Sequence, residues 1–304
     1  MATDRPGRAG PAPDSAPAPP GNRPDDGRPN DDHPDDGRPA DGHPDDGHPD
    51  DEQRSRGEAY ADLRRADHAP VTADDPHTAA DGAWSWKSLR LSPADNRVAD
   101  QQLAARRDAE GRRPDGSYDD RGITPALRRV EAQLEHGTLV PDTEKFALKG
   151  PDRFKEKLAK IMRTEPDRSA TDLAAEIHDG IRYTYILGFD HYSSEVDQAR
   201  RLLGEGGYEQ IAFKPSWARD EYKGINTQWR DPDSGHIFEV QFHTQDSWEA
   251  KQKTHAAYEK IESPQTTAAD RAKLREYQRD VSTQVPVPAG ALDFVPYRQR
   301  GSMS

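Results

Sequence analysis

The chain has 304 residues, of which 32% are apolar and 33% charged, with 26 prolines, no cysteine and a formal net charge of -13. The acidic balance argues against general binding to nucleic acid or an anionic membrane, because a phosphate surface repels it. The missing cysteine excludes disulfides, thiolate zinc sites and cysteine nucleophiles. No run of about 18 apolar residues occurs, so no membrane-spanning helix is expected, and the N-terminus lacks the apolar core of a classical signal peptide.

Polar residues are concentrated at the front of the chain. From Pro24 to Pro49 proline recurs at every fifth position, in units such as PDDGR, PNDDH and PDDGH. Proline blocks helices, glycine costs entropy and the aspartates repel one another, so residues 1–82 read as a disordered arm. His33, His43 and His48 stand among these aspartates; the pattern suits a solvated spacer or a weak divalent-metal tract. Residues 83–119 contain Trp84 and Trp86 and read as a linker with a possible helix from Pro93 to Arg107. Residues 120–290 form the expected folded domain, and 291–304 a flexible tail.

The folded part is expected to begin near Thr124, an N-cap ahead of Pro125, with Leu127, Val130 and Leu134 on one face. A second helix is predicted over Asp152 to Met162. A third is opened by the capping pair Ser169 and Asp172 and runs through Leu173 and Ile177. The period then changes. Ile181 to Leu187 is rich in β-branched and aromatic residues and reads as a strand, followed by a helix over Ser194 to Leu203. Further strands are predicted at Tyr208 to Phe213, Gly224 to Arg230 and Ile237 to Thr244. Helices follow over Asp246 to Ile261 and Thr267 to Ser282, and Pro286 and Pro288 close the ordered part. The expected class is α+β, a small mixed sheet flanked by helices.

Three groups of residues could carry chemistry. On the strand Phe238 to Thr244, alternation sends Phe238, Val240 and Phe242 to the core and aligns Glu239, Gln241 and His243 on the other face. A one-sided structural strand would alternate in the same way. Asp179 and Arg182 sit where the third helix meets the first strand, and an acid at a helix C-terminus opposes the helix dipole. A metal-ligand role explains that placement, and so does a simple pairing with Arg182. Asp179 and Glu239 together would suit a Mg²⁺-nucleotide site. Lys149, Arg153 and Lys157 recur at i, i+4 and i+8, forming either a solvated face or a phosphate clamp to which Lys214 and Lys223 add. In Tyr222-Lys-Gly-Ile-Asn226, Tyr222 could stack a base and Asn226 could bond ribose or phosphate.

In their order, the basic segment Lys149 to Lys157, the Asp179 to Arg182 turn, the Tyr222 loop and the Glu239-Val-Gln241 strand resemble the synthetase domain of the RelA/SpoT alarmone family. The resemblance covers about residues 145 to 262, with His255 downstream, and is nearest to secreted nucleotide pyrophosphokinases and synthetase-like toxin domains. It implies a nucleotidyltransferase-like fold and transfer of pyrophosphate from ATP to the 3′-hydroxyl of a guanine or adenine nucleotide. It implies Glu239 and Asp179 as catalytic magnesium ligands and Lys149, Arg153, Lys157, Arg182 and Lys214 as ATP phosphate ligands. Tyr222, Lys223, Asn226, Gln241 and His243 would form the acceptor site. The family acid usually stands five residues before the strand arginine; that position here is Ile177, and Asp179 lies two later. Histidine at 243 and asparagine at 226 replace the family's usual arginine and histidine.

Two other classes remain open on the sequence. A strand glutamate in a C-terminal α+β domain also suits an NAD-dependent ADP-ribosyltransferase toxin, and a domain that binds nucleotides without turnover would show the same pattern. ATP and an acceptor nucleotide are the expected partners of the first reading, with an immunity protein if the chain is a toxin. The chain is expected to be cytoplasmic, or exported as an effector without a cleaved signal peptide.

Overall fold

The computed structural model describes residues 75–263 and 266–299. The proline-aspartate repeat with His33, His43 and His48 lies outside the described residues. In chain order the elements are β1 (His77–Thr78), β2 (Trp84–Trp86), β3 (Leu89–Leu91), α1 (Pro93–Glu110), α2 (Ile123–Glu131), β4 (Gly137–Leu139), α3 (Thr143–Phe146), α4 (Pro151–Thr164) and α5 (Ala170–Ala175). They continue with β5 (Arg182–Leu187), a 3-10 turn (Phe189–His191), α6 (Tyr192–Glu205), β6 (Glu209–Pro215), β7 (Ile225–Arg230), β8 (Ile237–His243), α7 (Gln245–Ile261), α8 (Ala268–Thr283) and β9 (Tyr297–Arg298).

The main sheet has the order β4-β5-β8-β7-β6-β9. β5 and β8 run parallel, and every other neighbouring pair is antiparallel. One face is apolar because alternate residues of each strand point there. Tyr183, Tyr185, Phe213, Phe238, Val240 and Phe242 pack on Leu127 and Val130 of α2 and on Val196 and Leu203 of α6. The opposite face is ordered by register. Arg182 stands beside Glu239, which stands beside Gln228; one step along, Thr184, Gln241, Asn226 and Lys214 form the next row. α7 lies near β5 and β8, and its Thr244 cap forms a reciprocal box with Ser247.

A second hydrophobic cluster lies apart from that core. Trp84, Leu89 and Leu91 of the small sheet pack with Leu103 of α1, Phe154 and Leu158 of α4, and Leu173 and Ile177. Trp84 Nε1 also donates to Asp152 Oδ1 at 2.9 Å, tying the small sheet to the first turn of α4. Residues 83–119, expected to link, are therefore part of the folded body: two tryptophans and one face of α1 supply the apolar area. Strand β1, His77–Thr78, falls within the segment read as the arm.

Several boundaries differ from expectation. Thr124 is not a cap; Gly122 precedes the helix, and the buried Thr124 hydroxyl instead lies 2.6 Å from the Tyr183 phenol oxygen. The third helix ends at Ala175, so Asp179 lies in a turn beyond it, neither at a helix terminus nor on a strand. The carbonyls near that helix end are met by a buried cation: Arg106 Nη2 donates to Ala174 O at 2.8 Å and to Ile177 O at 3.3 Å. Part of the expected tail, 291–299, is folded, with Ala291 buried and β9 pairing with the edge of β6. No helix among the described residues is long and apolar enough to cross a membrane.

Candidate functional site

Backbone pairing brings the first cation to the acid. Lys149 stands before α4, whose N-cap is Gly150, so it does not continue the helical stripe of Arg153 and Lys157. Instead Leu148 bridges Ile181, Lys149 N donates to Gly180 O at 2.9 Å, and Arg182 N donates to Ala147 O at 2.8 Å. This lays Lys149 along the start of β5. Its Nζ reaches Asp179 Oδ2 at 3.1 Å, Lys157 Nζ reaches Oδ1 at 2.6 Å, and Arg182 Nη2 reaches Oδ2 at 3.0 Å. Gly180 makes the turn possible, because a Cβ there would meet Arg106 Nε at 2.5 Å.

Burial alone would raise the Asp179 pKa, but Lys149, Lys157 and Arg182 outweigh it and hold the carboxyl well below the usual range. Burial lowers the Lys149 pKa, with Asp179 working against that shift. Arg182 joins the two acids. Its Nε lies 2.8 Å from Glu239 Oε1, yet its N–H is not aimed at that oxygen, so the contact is an ion pair and not a hydrogen bond. Burial opposes the charge of Arg182, but Glu239 and Asp179 prevail and raise its pKa.

Glu239 is oriented from the side as well. Gln241 Nε2 donates to Glu239 Oε1 at 2.7 Å, and the Gln241 Oε1 accepts from Lys251 Nζ at 2.5 Å and from Thr184 Oγ1 at 3.3 Å. The amide is thereby fixed with its nitrogen toward the carboxylate. Lys251 also lies 4.5 Å from the Trp248 ring centroid. Sequence reasoning missed this lysine. In the run Lys251-Gln-Lys253 nothing marks which ammonium turns inward, and only the helical phase set by buried Ser247, Ala250 and Thr254 does so.

Tyr222 and His243 form a second network. The Tyr222 hydroxyl donates to Asn226 Oδ1 at 2.8 Å and lies 2.9 Å from His243 Nε2, while His243 Nδ1 lies 2.9 Å from Ser247 Oγ. Burial, with Lys251 adding to it, pushes the imidazole well below its usual range, so it is neutral. A consistent assignment runs one way: Ser247 O–H to Nδ1, Nε2–H to the phenol oxygen, phenol O–H to Asn226. His243 is fully buried, behind the Tyr222 hydroxyl. Gly224 has φ +141, and a Cβ there would meet His243 Cε1 at 2.8 Å.

The Asp179 cluster opens into a cleft of about 870 Å³ between α4, α7 and residues 146–150, with Lys87 and Ser88 at another edge. Lys160, Arg163, His255 and Tyr258 also line it. Arg153 lines the cleft but stands apart from Asp179: it pairs with Glu156 and Glu259, each at 3.0 Å, and stacks over Trp86 at 5.2 Å. Lys214 lies on β6, in the row of Asn226 and Gln241, two strands from β8 and so ~10 Å across the sheet from Glu239's strand. This puts it on the side of Tyr222 and Asn226 and away from Lys149 and Lys157. Lys223 is spent on its own loop, donating to Trp217 O at 3.0 Å and Arg219 O at 2.6 Å.

No group of three or more histidine or carboxylate side chains converges among the described residues. Magnesium asks for less, one or two carboxylates completed by phosphate oxygens and water. Asp179 and Glu239, held on one arginine, fit that demand.

No family model matches the sequence, and no curated protein matches it. Among solved structures, the chain is similar to small alarmone synthetase 1 from Bacillus subtilis, with 12% identity, a TM-score of 0.41, and coverage of 60% of this chain and 90% of that one. A crystal structure of the same synthetase bound to its product pppGpp matches at 13% identity and a TM-score of 0.41, covering 60% of this chain and 91% of that one. A GTP pyrophosphokinase family protein from Streptococcus pneumoniae matches at 14% identity and a TM-score of 0.39, covering 64% of this chain and 90% of that one. Identities and scores this low assign the chain neither a family nor an activity.

Proposed function

We propose that the chain is an ATP:nucleotide 3′-pyrophosphokinase of the RelA/SpoT type, moving the β,γ-pyrophosphate of ATP to the 3′-hydroxyl of a guanine or adenine nucleotide. One observation carries this reading. Two carboxylates, Asp179 in its turn and Glu239 on β8, meet on Arg182, and Asp179 with Lys149, Lys157 and Arg182 lines a cleft of about 870 Å³.

In this reading the donor's phosphates replace Asp179 as the partner of Lys149 and Lys157. Glu239 takes the proton of the acceptor 3′-hydroxyl; Oε1 already faces Arg182 and Gln241, which leaves Oε2 for that work. The 3′-oxygen lone pair forms a bond to the β-phosphorus, and the bond from that phosphorus to the α,β-bridging oxygen breaks. The electron pair leaves on that oxygen as AMP. Tyr222 and Asn226 hold the acceptor, with His243 fixing Tyr222 from behind. A magnesium ion on Asp179 and Glu239 would neutralise phosphate charge. Most of the rate gain comes from positioning and electrostatics, as in other phosphoryl transfers.

The test is the intact chain with ATP and Mg²⁺ and, in turn, GTP, GDP, GMP and the adenine nucleotides. AMP and a 3′-pyrophosphorylated product are expected with at least one acceptor. Absence of AMP with all of them rejects the proposal, and nicotinamide release from NAD without metal would point to ADP-ribosyl transfer.

A further inference from the structure

We propose that Lys251 is a further catalytic residue, whose ammonium binds the phosphoryl group passing from donor to acceptor. The proposal rests on the pyrophosphokinase reading above and adds to it a group from α7.

Lys251 is held by a neutral partner. Its Nζ contacts the amide oxygen of Gln241 at 2.5 Å and lies over the Trp248 ring at 4.5 Å. Neither contact neutralises its charge. The charged groups that act on it are Arg182, which repels, and Glu239, which attracts; burial first and Arg182 second bring its pKa down to about 7. Lys149 and Lys157, by contrast, already face the carboxylate of Asp179. An ammonium desolvated against an aromatic ring and an amide, and repelled by the charge of Arg182, gains most when an anion arrives.

Its position says which anion. Gln241 stands on β8 two residues from Glu239 and in register with Asn226. Lys251 therefore sits where the Asp179 cluster meets the acceptor row. With the acceptor 3′-oxygen at Glu239, the donor atom at that junction is the β-phosphorus. As the 3′-oxygen bond to this phosphorus forms and the bond to the bridging oxygen breaks, the equatorial oxygens carry the charge that Lys251 meets. The Gln241 amide aims the ammonium and, through its nitrogen, the Glu239 carboxylate, so base and cation share one support.

The test uses the intact chain and the variants Lys251→Met and Lys251→Arg. Lys251→Met is expected to lower kcat about a hundredfold, as removal of one transition-state donor does, with the acceptor KM within about threefold. Lys251→Arg, which keeps the charge, is expected to restore much of the loss. A kcat within about threefold of wild type in Lys251→Met overturns the proposal, as does a loss confined to the acceptor KM, which would mean that Lys251 only props Gln241. Calorimetric titration of each protein with magnesium pyrophosphate supplies a readout without turnover. Lys251→Met should bind it about tenfold more weakly by losing one charge-assisted contact, and equal binding overturns the proposal. If wild type releases no AMP with any acceptor, the pyrophosphokinase reading falls, and this titration still decides whether Lys251 holds phosphate.

Discussion

Replacing Asp179 by asparagine removes the carboxylate that Lys149, Lys157 and Arg182 share. Leaving buried charge unpaired costs ~3–5 kcal/mol. The Asp179 side chain is only 16% exposed, but Lys157 and Arg182 keep 41% and 36% of theirs, so solvent screens part of the repulsion. A loss of ~2 kcal/mol is expected after that screening. With a urea dependence of ~2–3 kcal/mol per molar, the unfolding midpoint should fall by about 0.8 M. The acid limb adds a second readout. Because the folded pKa of Asp179 is depressed, its stabilisation is complete above the unfolded value of ~3.9 and is lost as the pH falls through the folded value. Wild type should thus lose stability below about pH 4 more steeply than Asp179→Asn. Binding of inorganic tripolyphosphate should persist in the variant, since the lysines no longer have to leave a carboxylate. An unchanged urea midpoint together with an unchanged acid slope would refute the electrostatic account of this cluster.

Glu239→Gln should abolish AMP release while the thermal midpoint stays within a few degrees of wild type, checked by product chromatography and calorimetry. Gly180→Ala places a methyl group against Arg106 Nε and should destabilise by ~2 kcal/mol, as overpacking does, read by urea denaturation. His243→Phe removes the partner of both Tyr222 and Ser247; it should raise the acceptor KM more than the ATP KM, and an equal effect on both would disprove the relay. Trp84→Phe loses the bond to Asp152 and should cost ~1 kcal/mol, measured in the same way.

Much of the domain was legible because its signals are local. The alternation of Phe238, Val240 and Phe242 against Glu239, Gln241 and His243 holds in the sheet, and the Ser169 cap forms as expected. What stayed hidden depends on contacts far apart in sequence. A basic spacing of four placed Arg153 with Lys149 and Lys157, but Lys149 precedes the helix and Arg153 is claimed by Glu156 and Glu259. The dipole argument for Asp179 placed it at a helix end, whereas the helix stops at Ala175 and a cation 68 residues away, Arg106, meets the Ala174 carbonyl there. Residues 83–119 looked like a linker because their tryptophans and leucines are few; nothing local shows that Phe154 and Leu158 need them as a second wall.

The grip of Arg106 on the turn before Asp179 changes what the smallest working piece of this protein must contain. A fragment cut near residue 120, where the sequence suggests a boundary, would keep the carboxylates and the lysines. It would lose the guanidinium beneath Gly180 and the tryptophan wall behind α4. The acid loop would keep its pairing with Lys149, Lys157 and Arg182 but lose the two hydrogen bonds from Arg106 that hold the carbonyls of Ala174 and Ile177. Segments that keep Trp84 and Arg106 are the ones in which the loop is clamped, so helix Pro93–Glu110 supports the Asp179 turn without lining the cleft.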